Sequence, residues 1–166
     1  MIKLSTSGLK VLKALHIFTV AGWFGGGLAM NLLAYKTASM DQESSLLTAY
    51  QMIEIIDMQL VANCAVFTLV IGLIYSIFTH WGFIQQPWIV IKWIISVFVI
   101  GTGVAYSSNY LEQLTAMAGQ FGLAALQNPE YIAIAQANLK LGLAQLVLLA
   151  IAIILSIIKP GRKGRV

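Results

Sequence analysis

The sequence predicts an all-α membrane protein, a single bundle of four transmembrane helices, and three observations predict it. Of 166 residues, 59% are hydrophobic and 10% are charged, where a soluble domain carries about 25% charged residues. The charges are separated by uncharged intervals long enough to cross a bilayer, and the alternating segments of about 10 residues that mark a membrane barrel do not occur. Seven of the ten Lys and Arg sit at the two ends of the chain.

The first interval, Ala14 to Tyr35, holds 22 uncharged residues between Lys13 and Lys36. It predicts a helix over about 12–35, capped by Ser5, Thr6 or Ser7. It is longer than the 7–15-residue apolar stretch of a signal peptide, so it reads as a mature helix. Between Asp57 and Lys92 lie 34 uncharged residues, too many for one span and divided at His80-Trp81-Gly82 and Gln85-Gln86-Pro87. This predicts a second helix over 58–79 and a third over 88–111, with Pro87 in the first turn of the third. The fourth helix covers 137–158, and Asn128-Pro129-Glu130 is a start signal well before it: cap, first-turn proline, then an acid at the positive end of the dipole. Running from there to Pro160-Gly161, this helix is about 45 Å long at ~1.5 Å per residue and projects beyond the bilayer. Leu46, Tyr50, Ile53 and Ile56 recur at helical spacing, so the second helix also extends, and the two extensions can form a small cap.

Lys3, Lys10 and Lys13 precede the first helix, and Lys159, Arg162, Lys163 and Arg165 follow the fourth. The acids Asp41, Glu43, Glu54, Asp57, Glu112 and Glu130 occupy the first and third connections. The positive-inside rule then places both termini in the cytoplasm. Topology accounts for the terminal cations, so the partner is the lipid bilayer and no nucleic acid is expected. One Cys, Cys64, excludes an intrachain disulfide framework, and no phosphate-binding loop, dinucleotide fingerprint, zinc spacing or nucleophile–base pair is present. No catalytic residue is assigned.

The functional candidates are ionisable groups inside the spans. His16 lies one turn into the first helix, His80 closes the second, and Lys92 lies one turn into the third, all near the cytoplasmic face. No Asp or Glu shares that side, so Lys92 either snorkels to the headgroups or neutralises an anionic ligand group. Around His16, Gly22, Gly25, Gly26 and Gly27 leave room either for close helix packing or for a flat ligand, and Trp23 falls on a similar face seven residues on. Neutral imidazole is the usual axial ligand of haem iron. A lone membrane histidine more often hydrogen-bonds a neighbouring helix.

The run Leu15-His16-Ile17-Phe18-Thr19-Val20-Ala21-Gly22-Trp23-Phe24-Gly25-Gly26 resembles the first-helix signature of small bacterial four-helix membrane proteins, the HemJ-type protoporphyrinogen oxidases and the CopD-like families among them. Trp88-Ile89-Val90-Ile91-Lys92 resembles the W-x-x-x-K that opens the third helix of the HemJ group. The closest likeness is to uncharacterised members and covers residues 10–100. It implies a bacterial plasma-membrane protein that binds haem b, with His16 as axial ligand and Lys92 or Lys13 meeting propionates. Trp23 and Gly26 then line the cofactor, and His80, a methionine or an open position is the second iron site. Where the HemJ pattern has further histidines, this chain reads Ala34-Tyr35-Lys36-Thr37 and Gly101-Thr102-Gly103. The resemblance therefore carries over haem or porphyrin binding and not the oxidase activity. The expected roles are electron transfer, haem sequestration or a porphyrin-linked redox step. The other reading is a non-haem transport or assembly subunit, which with four helices would work as a homo-oligomer or beside a larger partner.

Overall fold

The computed structural model describes residues 5–78 and 84–160. Four long apolar helical rods account for nearly all of them, as expected of a four-helix membrane bundle. The first rod is α1 (Thr6–Thr37). The second runs through α2 (Glu43–Ile55), a π-helical turn (Ile56–Val61) and α3 (Ala62–Phe78). The third runs through α4 (Pro87–Thr102), a π-helical turn (Gly103–Ser107) and α5 (Ser108–Phe121), then a 3-10 segment (Gly122–Gln127). The fourth is α6 (Pro129–Ile158).

The helix ends follow local chemistry. The Ser5 hydroxyl accepts from the Gly8 amide at 3.1 Å, and the Asn128 side chain accepts from the Glu130 amide at 2.9 Å. Both satisfy amides that the first turn of a helix leaves without partners. Pro87 and Pro129 occupy first-turn positions, where a missing N–H costs nothing. Each π turn leaves carbonyls out of the regular ladder. Asn63 Nδ2 donates to the carbonyls of Met58 (3.1 Å) and Gln59 (3.0 Å), and Asn109 Nδ2 donates to that of Ala105 (2.8 Å).

Successive rods are antiparallel, which brings residues 5, 78, 87 and 160 to one end, here termed the terminal end. The opposite, distal half is closed. Leu46, Tyr50 and Ile53 of α2, Leu111, Leu114 and Ala118 of α5, Ala125, and Tyr131 of α6 form one buried cluster, against which Met30, Leu33 and Ala34 of α1 pack. Tyr50 Oη and Tyr131 Oη are hydrogen-bonded at 2.7 Å, with Thr37 Oγ1 3.4 Å from Tyr50 Oη. The helical stripe read at 46, 50 and 53 is therefore a core stripe, and the extensions of the second and fourth helices do form a cap. A third extension joins them. The expected end of the third helix near 111 and the connection over 112–136 are corrected: helix continues to Phe121 and the 3-10 segment to Gln127. Leu111, Leu114 and Ala118 lie on one face and bury it against α2, which offsets the polar residues on the other face.

In the terminal half the close helix pairs are α1–α3, α1–α6 and α4–α6, while α3 and α4 form no comparable pair. The α1–α3 seam is built on glycine. A Cβ added at Gly22 would stand 2.5 Å from Cys64 Sγ, and one at Gly26 would stand 2.7 Å from Val61 Cγ2. The glycine pair thus brings the two backbones together, as small residues four apart do in membranes. Gly25 faces open space. Gly26→Leu is expected to lower the melting temperature in detergent, from overpacking of about 1–3 kcal/mol, while Gly25→Leu leaves it unchanged. Equal melting of the two variants would contradict this seam.

Candidate functional site

His16 stands two and a half turns into α1 and points at α3. Its Cε1 is 4.0 Å from where a Cβ on Gly72 would sit, and its ring meets Tyr75 edge-on, centroids 6.4 Å apart at 73°. Gly72 therefore makes room for the imidazole, and Tyr75 walls it on the side of the terminal end. The Tyr75 hydroxyl donates to the Leu9 carbonyl at 3.0 Å, which ties the start of α1 to the end of α3. One turn deeper, Thr68 Oγ1 donates to Thr19 Oγ1 at 3.0 Å, and Thr19 Oγ1 donates to the His16 carbonyl at 3.0 Å. The backbone at His16 is thus fixed from both sides. The ring is not: His16 Nδ1 is buried and has no hydrogen-bond partner.

Lys92 enters from α4. Its Nζ lies 5.8 Å from the centroid of the Trp88 ring, one turn earlier on the same face, a cation–π distance. Its charge acts on His16, and the charge of Lys159, at the end of α6, acts on it. Basic groups of α1, α4 and α6 therefore converge at the terminal end. The six acids of the chain lie at 41–57, 112 and 130, toward the distal end, so none of them balances this group.

The other expected site residues are placed apart from His16. Trp23 is 5% exposed and fills the centre of the bundle with Ala65, Ile95, Val99, Leu149 and Ala152. Seven residues beyond His16, or about 10 Å along the axis, it closes the distal side of the site rather than lining it at His16. Gly26 is ten residues from His16 and is taken up by Val61 and Leu60 in the α1–α3 seam. Lys13 is exposed on the first turns of α1. His80 lies outside the described residues. Gly72, Tyr75 and Lys159 were not anticipated. Their proximity to His16 and Lys92 depends on the register between helices, which one sequence does not display, whereas Trp88 and Lys92 share a face by their spacing of four.

Among the described residues, no three His, Cys, Asp or Glu side chains come close enough to hold a metal ion. A family model described as "Predicted integral membrane protein (DUF2269)" matches residues 10–160. No curated protein and no solved structure matches the chain.

Proposed function

We propose that this chain, which belongs to the DUF2269 family of predicted integral membrane proteins, holds b-type haem in the terminal half of its bundle with His16 as axial ligand. The observation that carries the reading is the imidazole itself. A histidine kept for packing hydrogen-bonds a neighbouring helix, but Nδ1 of His16 is buried without a partner among the described residues, and the ring stands against Gly72 and Tyr75. A buried imidazole with a free ring nitrogen suits a metal that arrives in its own equatorial plane, as haem iron does.

Two further features support it. Because α3 and α4 form no close backbone pair among the described residues, a planar group could enter between helices whose other flanks are held to α1 and α6. Lys92, near His16 and without an acid beside it, neutralises a carboxylate at the terminal end, and Lys13 is on the same side. Trp23 and its apolar neighbours exclude water from the distal side. The bound group supplies reversible one-electron chemistry, which suits electron transfer, haem sequestration or a porphyrin-linked redox step. A distant relationship to HemJ-type and CopD-like membrane proteins belongs to the same proposal, carried by Leu15 to Gly26 and Trp88 to Lys92. So does the topology, with both termini cytoplasmic as the excess of terminal cations favours.

Haemin titration of the purified protein in mild detergent tests the reading. Wild type is expected to give a saturable Soret band at one haem per chain. Lys92→Ala should weaken uptake by about tenfold, the loss of one charge-assisted contact, and Lys92→Arg should retain it. A wild-type protein that takes up no more haemin than empty micelles contradicts the proposal.

A further inference from the structure

The two buried clusters of the bundle are separate. One fills the distal cap around Ile53, Leu111 and Tyr131, the other the membrane half around Trp23, Val99 and Leu149. In the interval between them each rod presents a polar side chain: Asn31 on α1, Asp57 on the second rod, Thr102 and Ser107 on the third, and Gln145 on α6, all half-buried. Both π-helical turns, Ile56–Val61 and Gly103–Ser107, fall in the same interval, and such turns recur at functional sites.

Register sets these residues at one level, the distal boundary of the spans. A Cβ on Gly26 would meet Val61, so Asp57, four residues before Val61 on the antiparallel second rod, stands level with Met30 and Asn31. Asp57 also lies four residues after the buried Ile53, on the inward stripe of its rod. Asn31 lies against Gly142, its Oδ1 2.5 Å from where a Cβ would stand, and Gln145, one turn on from Gly142, reaches Thr102.

The hydrogen bonds here use up the donors and leave oxygen over. Asn31 Nδ2 donates to the Gly27 carbonyl at 2.9 Å. Gln145 Nε2 donates to Thr102 Oγ1 at 3.0 Å and to the Val99 carbonyl at 3.4 Å, and the Thr102 hydroxyl donates to the carbonyls of Phe98 and Val99. Asn31 Oδ1, Gln145 Oε1 and the Asp57 carboxylate accept from no group among the described residues, and Ser107 Oγ is buried without a partner there. Lys36 and Lys140, the cations near this level, are exposed. One carboxylate among neutral oxygens is the ligand chemistry of a hard cation of single charge.

We infer that this polar layer, with Asp57 and the side-chain oxygens of Asn31, Gln145 and Ser107 at one level between two apolar clusters, is a binding site for a monovalent cation, sodium or potassium. The ion neutralises the inward acid and joins oxygens from all four rods, which fastens the distal cap to the membrane half. Haem is not involved, since Gly72, against which His16 stands, is about 22 Å along the second rod from Asp57.

Thermal unfolding of the purified protein in detergent tests the inference, with sodium or potassium chloride replacing choline chloride at constant ionic strength. A cation that binds the folded chain raises its melting temperature. The midpoint should therefore climb saturably with sodium, potassium or both, relative to the bulky choline cation. Asp57→Asn keeps the shape and removes the charge, and should raise the half-saturating concentration by about tenfold or more, the loss of one charge-assisted contact. Glu112→Gln, at an exposed acid near the same boundary, should keep the wild-type response. Wild-type melting that is the same in all three salts would overturn the inference without any variant. So would an Asp57→Asn protein with the wild-type response, or a Glu112→Gln protein that loses it equally.

Discussion

Tyr50→Ala is expected to destabilise the protein by about 3–5 kcal/mol, the range for truncating a fully buried aromatic side chain. Tyr50 is 1% exposed and sits where α1, α2, α5 and α6 meet, among Leu46, Ile53, Leu111, Leu114 and Tyr131. Two losses combine. The ring leaves a cavity that its neighbours, each anchored in its own helix, refill only in part. The hydroxyl leaves Tyr131, itself 3% exposed, without its 2.7 Å partner. Tyr50→Phe separates the two by keeping the ring, and should cost about 1–3 kcal/mol for the buried hydroxyl alone. Thermal unfolding in detergent reads both variants. The ordering wild type, then Tyr50→Phe, then Tyr50→Ala is the result consistent with a closed distal core. Identical melting of all three would show that the cap is not packed as described.

That core was only half legible in the sequence. The stripe at Leu46, Tyr50 and Ile53 and the start signal at Asn128 to Glu130 are local patterns, and they led to two of the three helical extensions. The third, α5, begins inside a transmembrane interval and runs past Glu112 into polar sequence. A reading based on uncharged intervals stops at that charge, although Leu111, Leu114 and Ala118 keep the helical period beyond it. The π turns left no signal of their own, since their effect is to shift register within a helix that continues on either side. Gly22 and Gly26 were legible as a close-packing pair, but which helix they receive was not. The candidate site shows the same division. The placement of His16 and Lys92 near one membrane face follows from counting residues along each helix. The contacts that define the site, His16 against Gly72 and Tyr75, depend on how helices align with one another.

His16→Ala is expected to abolish haem uptake while leaving the fold intact. The fold is spared because Nδ1 of the imidazole has no hydrogen-bond partner among the described residues and the neighbouring Tyr75 is held independently through Leu9. The loss of binding should exceed the ~10–100-fold that removing a residue behind a metal ligand costs, because the ligand itself is gone. Lys92→Ala keeps the ligand, so it should weaken binding without changing the spectrum of what is bound. The absorption spectrum therefore tests the central claim most directly, recorded oxidised and reduced for wild type and His16→Ala at matched protein and haemin. The account predicts a Soret band with the split visible bands of a reduced b-type haem in wild type, and only the spectrum of free haemin in a His16→Ala protein that melts like wild type. An unchanged band in His16→Ala would contradict it.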